Sequence, residues 1–244
     1  MGVQSMRLSD SVVQILIIDE QPVTRLGLRV LLESETDLRV CGEAHDLVGA
    51  VQQLKATSPH VVIADIGLNG SACGLDVIQR LRAADPHLPV LAYSMLDDLH
   101  YVERSLAAGA IGFCSKRESP AVVLSAVRQV VAGNLSLNED LTSRLLSRAI
   151  NGRRPGLDSG VQMLSNRELE VFALIGRGLK TTEIARTLKV SVKTIETHRL
   201  RIREKLLLTD SAKLTFTAVR WVHDQQEQVP VASAMTPMTI RSSA

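Results

Sequence analysis

Five residues in the first half of the chain have the types and spacing that phosphoryl chemistry needs. Asp19 and Glu20 follow the apolar run Val13–Ile18, and Asp65 follows Val61-Val62-Ile63-Ala64. Ser94 follows Val90–Tyr93, and Lys116 lies two residues past a run ending at Cys114. Three neighbouring carboxylates repel one another unless a cation neutralises them. Mg²⁺ suits such a set because it takes oxygen ligands, keeps some water and bridges carboxylate to phosphate. The Ser94 hydroxyl offers a phosphoryl oxygen a hydrogen bond, and the Lys116 ammonium offers a counter-charge. Each residue alone has an ordinary explanation: an Asp after a strand bonds loop backbone, a Ser there is commonplace, and a lone Lys is solvated.

What gives the set meaning is the succession of elements that carries it. The short β-branched runs 13–18, 38–44, 61–64, 90–93 and 110–114 read as strands buried on both faces. Helical stripes separate them, beginning with Val23, Leu26, Gly27, Val30 and Leu31, with Pro22 at the start, where a missing N–H costs little. Five strand–helix units predict an α/β fold, a doubly wound five-stranded parallel sheet. Ligands in such sheets sit beyond the carboxyl ends of the strands, which is where all five residues fall. A dinucleotide site is disfavoured, since no GxGxxG follows the first strand. A phosphatase-like enzyme would need a second aspartate two residues after Asp65, and Gly67 stands there.

After Gly133 the pattern changes. Residues 137–150 read as one more helix, and Asn151–Gly160 has the Gly, Pro and polar content of a linker. From Leu164 the chain is helical without strands, and the tail from residue 227 has no periodicity and reads as disordered. The expected domains are therefore 12–133, a helical segment and linker at 134–163, and a smaller all-α domain at 164–226. Charge divides the same way: residues 12–133 carry 10 Lys/Arg against 14 Asp/Glu, a net of −4. Residues 164–226 carry 12 against 7, a net of +5, so the two halves are expected to meet different partners. Among 244 residues no apolar run approaches the roughly 20 of a membrane span. No signal pattern opens the chain, and Cys41, Cys73 and Cys114 form no CxxC, as expected of a cytoplasmic protein.

Residues 13–133, with these acids, hydroxyl and lysine, resemble the receiver domain of bacterial two-component response regulators. The resemblance implies a flavodoxin-like fold with Asp65 as phosphoacceptor. It implies Asp19, Glu20, Asp65 and the Gly67 carbonyl as Mg²⁺ ligands, Ser94 as the switch hydroxyl, Lys116 as the family lysine and Phe113 as the aromatic switch. A sensor histidine kinase would supply the phosphoryl group, Ser94 would move toward it, and Phe113 would rotate inwards. Two departures stand out: Asp-Glu replaces the commoner Asp-Asp, and the loop 66–74 lacks the family's Met-Pro-Gly pattern. Cys73 in that loop reads as an inert small residue.

In the basic half, Ser165 and Glu168 form a capping box, and Val171, Leu174 and Ile175 stripe the helix they open. A short helix 181–188, the turn Lys189-Val190-Ser191 and a basic helix 192–206 have helix-turn-helix order, which places the last helix in the DNA major groove. The run Leu164-Ser165, Arg167-Glu168, Glu170-Val171, Glu183-Ile184-Ala185, Thr194–His198 and Lys205-Leu206 resembles the LuxR-type DNA-binding domain. With the receiver it is similar to the NarL/FixJ response regulators. That resemblance implies base contacts by Glu196, Thr197, Leu200 and Arg201. It implies phosphate contacts by Lys180, Thr181, Lys193, Thr194, His198, Arg199 and Arg203. It also implies dimerisation through Leu214, Ala218, Trp221 and Val222, although packing within the domain explains part of that stripe.

The sequence therefore reads as a transcriptional response regulator rather than an enzyme, switched at Asp65 and binding two DNA half-sites as a homodimer. The alternative, left open by the unusual loop after Asp65, is a DNA-binding regulator controlled by a partner protein or by abundance.

Overall fold

The computed structural model describes residues 12–68, 73–151 and 157–227. Loop residues 69–72, linker residues 152–156 and the tail from 228 lie outside these. Five strands form one parallel sheet: β1 (Val13–Ile18), β2 (Leu38–Ala44), β3 (Val61–Ala64), β4 (Val90–Ser94) and β5 (Gly112–Ser115), in the order β2-β1-β3-β4-β5. Strand β1 alternates its burial between two layers. Ile15 and Ile17 pack with Leu28 and Leu32 of α1 (Pro22–Glu33) and Val123 and Val127 of α5 (Pro120–Val131). Leu16 and Ile18 pack with residues of α2 (Leu47–Thr57), α3 (Gly74–Ala84) and α4 (Leu99–Ala107). Both faces are covered, which explains strands that read as continuous apolar runs.

The outer edge of β5 is not bare. Phe113 N donates to Ser136 O at 2.8 Å and Ser136 N donates to Ile111 O at 3.1 Å, so the chain leaving α5 doubles back to pair with the strand. Helix α6 (Glu139–Asn151) follows and lies on α4, with Arg148 3.4 Å from Glu103. The expected linker contains a helix that composition did not signal, α7 (Leu157–Gln162). Val161 and Leu164, at its end and just beyond, are buried, so tertiary packing stabilises what local propensity does not.

The second domain comprises α8 (Asn166–Gly176), α9 (Thr181–Thr187), α10 (Val192–Lys205) and α11 (Ser211–Glu227). The capping box forms as expected: Ser165 N donates to Glu168 Oε2 at 2.7 Å, and Glu168 N donates to Ser165 Oγ at 3.3 Å. Glu168 also accepts from Lys205 Nζ at 2.6 Å, which ties α10 to α8. A Cβ on Gly176 would stand 2.4 Å from the Ala218 carbonyl, so only glycine lets α11 lie this close to α8.

Candidate functional site

The expected convergence at the carboxyl edge of the sheet is present. Asp19, Asp65 and Ser94 are buried, at 1%, 5% and 1% exposure. Lys116 Nζ lies 2.6 Å from Asp19 Oδ2 and 2.7 Å from Asp65 Oδ2, bridging two strand ends. The other Asp65 oxygen accepts from Gly67 N at 2.7 Å, and the other Asp19 oxygen from Gln21 N at 2.7 Å. Ser94 Oγ accepts from Leu96 N at 3.1 Å and stays on the same edge. Burial pushes the Asp19 carboxyl above its usual range despite the Lys116 hydrogen bond. Burial works against the Lys116 charge, but Asp65 and Asp19 outweigh it and raise its pKa. The arrangement holds a buried carboxylate beside a fixed cation, with little water around either, a setting in which a carboxylate can act as a nucleophile.

The close fit behind Asp65 depends on one glycine. A Cβ on Gly74 would sit 2.0 Å from the Asp65 carbonyl and 2.4 Å from Ile66 Cα, so α3 starts directly against the end of β3. Cys73 caps that helix, and burial pushes its thiol up to about 12, which fits the inert role expected of it. All three cysteines are free.

The acidic set is less assembled than expected. The Asp19 and Asp65 carboxylates converge on one point and supply the hard oxygens that Mg²⁺ prefers. Glu20 instead reaches Lys189, 3.3 Å away in the helix-turn-helix. Among the described residues no three His, Cys, Asp or Glu side chains stand together as a metal cluster. Phe113 also departs from expectation. It is already enclosed at 2% exposure, behind the strand-pairing segment at Ser136. No exposed aromatic at that position stands ready to swing inwards.

In the basic domain, Ser191 caps α10 by accepting from Thr194 N at 3.1 Å. Ile195 and Ile202 are buried, which turns the helix so that Lys193, Glu196, Thr197, Leu200 and Arg201 are exposed. Lys180 is exposed as well, and Thr181, Thr194, Arg199 and Arg203 are half-buried. His198 is half-buried, with no partner for Nδ1 among the described residues. Burial first, and then Arg167, depresses its pKa. The α11 stripe is spent within the chain. Leu214 and Ala218 are fully buried, Val222 is half-buried, and Trp221 stacks on Phe172 at 5.5 Å between ring centroids. The periodicity identified a buried face, and within the chain α8 and His100 of α4 cover it. The exposed apolar residues of α11 are Phe216 and Val219.

Residues 15–128 match the response regulator receiver domain, and residues 162–218 match the luxR family of bacterial regulatory proteins. The transcriptional activator protein ExaE of Pseudomonas putida is 37% identical over 84% of this chain and 95% of its own. The oxygen regulatory protein NreC of Staphylococcus carnosus is 32% identical over 85% of this chain and 97% of its own. The chain belongs to the NarL/FixJ-type response regulators. Among solved structures, RcsB of Salmonella enterica serovar Typhimurium, bound to the rprA promoter with the phosphomimetic BeF3⁻, is 25% identical. It superposes with a TM-score of 0.56 over 86% of this chain and 99% of its own. Such proteins are DNA-binding transcriptional regulators, not enzymes. No helix among the described residues is long and apolar enough to cross a membrane.

In this response regulator the two domains dock through contacts that no sequence signal marked. Arg104 of α4 donates to Leu164 O at 2.9 Å, to Val161 O at 3.1 Å and to Asn166 Oδ1 at 3.1 Å. Asn166 Nδ2 in turn donates to Asp76 Oδ1 at 3.0 Å. Arg177 lies 3.5 Å from Asp98, and His100 of α4 stacks on Trp221 at 5.2 Å. The receiver therefore covers α8 and part of α11, while the side of α10 that carries Glu196, Thr197, Leu200 and Arg201 stays exposed. Above Asp65 the interface leaves a cavity of about 210 Å³, floored by Asp65, Ser94 and Lys116 and roofed by Glu170, Ala173 and Arg177.

Proposed function

We propose that Asp65 accepts a phosphoryl group from the phosphohistidine of a sensor kinase, and that this controls how the second domain engages DNA. The observation that carries this reading is the Lys116 ammonium held between the buried Asp19 and Asp65 carboxylates. An Asp65 oxygen attacks phosphorus, the P–N bond breaks, and the imidazole leaves with a proton from solvent. Lys116 follows the charge onto the phosphoryl oxygens, and the Gly67 amide stays on Asp65 Oδ1. Asp19, Asp65, Glu20 and the Gly67 carbonyl would hold Mg²⁺, on which receiver phosphorylation generally depends; when bound, it neutralises phosphoryl charge. Glu20 would have to leave Lys189 to join that set, and the Ser94 hydroxyl would turn from Leu96 N to a phosphoryl oxygen.

Helix α10 reads base edges through Glu196, Thr197, Leu200 and Arg201. Lys180, Thr181, Lys193, Thr194, His198, Arg199 and Arg203 hold the flanking phosphates. Two copies pair along α11 to read two half-sites, and the outward side of that helix, with Phe216 and Val219, is the apolar surface available for it. Residues 12–133 and 164–226 act as the two working domains, joined by 134–163, in the cytoplasm.

The test is intact mass after incubation with Mg²⁺ and acetyl phosphate, beside Asp65→Asn. Wild type gains one phosphoryl, about 80 Da, and the variant gains none. Equal masses in both would leave the alternative of a regulator controlled by a partner protein or by abundance.

A further inference from the structure

We propose that Glu170 of the DNA-binding domain senses the phosphoryl group directly, because it faces Asp65 across the domain interface and its carboxylate excludes a phosphoryl group from the docked arrangement. The proposal rests on the reading of Asp65 as phosphoacceptor. Glu170 lies on α8, is only 8% exposed, and lines the cavity whose floor is Asp65, Ser94 and Lys116. It cannot swing into water. Arg167 holds it at 2.6 Å and is itself anchored on Leu188 O at 2.9 Å. Glu170 lines the cavity and Arg167 does not, so the acidic member of that pair is the one on the cavity wall.

Phosphorylation turns the singly charged Asp65 carboxylate into an acyl phosphate of about −1.5 to −2, which adds roughly one negative charge and three acceptor oxygens to this confined space. Opposing charges there act at a low effective dielectric. Burial raises the Glu170 pKa against the lowering effect of Arg167, and the negative charges of Asp65 and Asp76 act in the raising direction. One cation shares the roof. Arg177 sits at its rim, is exposed, and already has Asp98 as a partner 3.5 Å away. It can stay in solvent when the phosphoryl arrives, whereas Glu170 cannot. The docked form thus binds the phosphoryl group more weakly than the separated form, and uptake shifts the equilibrium toward separation.

The chain contains one tryptophan, and it reports the interface. Trp221 is 2% exposed and loses its His100 neighbour when the domains part. The experiment uses the full chain with Mg²⁺ and acetyl phosphate. Intact mass gives the phosphorylated fraction, and Trp221 emission gives separation, read as the change on uptake within each variant. Wild type is expected to shift its emission to longer wavelength in proportion to uptake. Glu170→Gln, which keeps the shape and an acceptor for Arg167, is expected to take up phosphoryl with its shift in the separated-to-docked ratio cut about tenfold or more. Ser94→Ala is expected still to separate per phosphoryl gained. Arg177→Gln changes an exposed residue and removes the roof's cation, so its shift equals or exceeds that of wild type.

Separation undiminished in Glu170→Gln overturns the proposal and leaves Asp65 as phosphoacceptor. So does phosphorylated wild type that stays docked, or an Arg177→Gln variant that loses the shift. Loss of the shift in Ser94→Ala with retention in Glu170→Gln assigns sensing to the hydroxyl and also overturns it. No mass gain in wild type defeats the phosphoacceptor reading and this proposal together.

Discussion

The carboxyl edge of the sheet and the recognition helix both concentrate charge, but they are built in opposite ways. At the edge, Asp19, Asp65 and Lys116 come from three distant strand ends and meet within 2.7 Å, nearly out of water. On α10, Lys193, Arg201 and their neighbours come from one continuous segment and spread along a largely exposed face. Convergence and burial make the first a place for covalent chemistry, where one group cannot be lost without stranding another. Dispersal and exposure make the second a reader, whose contacts are separable and whose partner is external.

The largest effect should come from breaking the convergent site. Lys116→Ala leaves two buried carboxylates facing each other and removes the cation that follows the transferring charge. Phosphoryl uptake from acetyl phosphate, followed by intact mass, should slow by about 10²-fold or more. Trp221→Ala tests the packing that joins the two regions. Deleting a side chain held between Phe172 and His100 should cost about 3–5 kcal/mol in denaturant unfolding of the full chain. A cost near zero would mean that the face is covered only weakly.

On the dispersed site the effects should be smaller and separable. Arg201→Ala should cost about 1–3 kcal/mol on a preferred DNA site and little on random DNA, measured at one fixed salt concentration. Lys193→Ala should weaken both alike and lower the salt slope by about one. The smallest effect concerns pH. Burial works to raise the Glu168 pKa, but the hydrogen bonds from Lys205 and Ser165 and the Lys205 charge together outweigh it, so the folded value lies below the ordinary 4.5. The stability it contributes is therefore present above pH 4.5 and is lost as pH falls through the lower folded value. Glu168→Gln should flatten that part of the unfolding profile, and an unchanged acid limb would contradict the assignment.

The residues that were legible in the sequence were those whose neighbours dictate their place. Strand β1 spans Val13–Ile18 in both readings because a β-branched run buried on both faces has sharp ends. Asp19, Asp65, Ser94 and Lys116 followed from the strand-end rule. Helix α7 was not legible, because six residues beside Pro155 and Gly156 carry no helical signal of their own and depend on the packing of Val161. Arg104 was not legible either, since its partners lie about 60 positions away and nothing local marks it. The α11 stripe shows the intermediate case. Leu214, Ala218 and Trp221 were recognisable as a buried face, but periodicity does not say what buries it. Glu170 read as part of a family signature, and only the docked geometry places it on the wall of the cavity above Asp65.

The central claim is that these two unlike regions are coupled. The most direct test is the affinity of the full chain for one preferred DNA site, at fixed salt, with and without phosphoryl on Asp65. The account predicts tighter binding of the phosphorylated form, by a factor within the roughly 5–150-fold range of allosteric coupling, and no such gain in Asp65→Asn treated alike. Equal affinity of the two forms, with phosphorylation verified by mass, would contradict it.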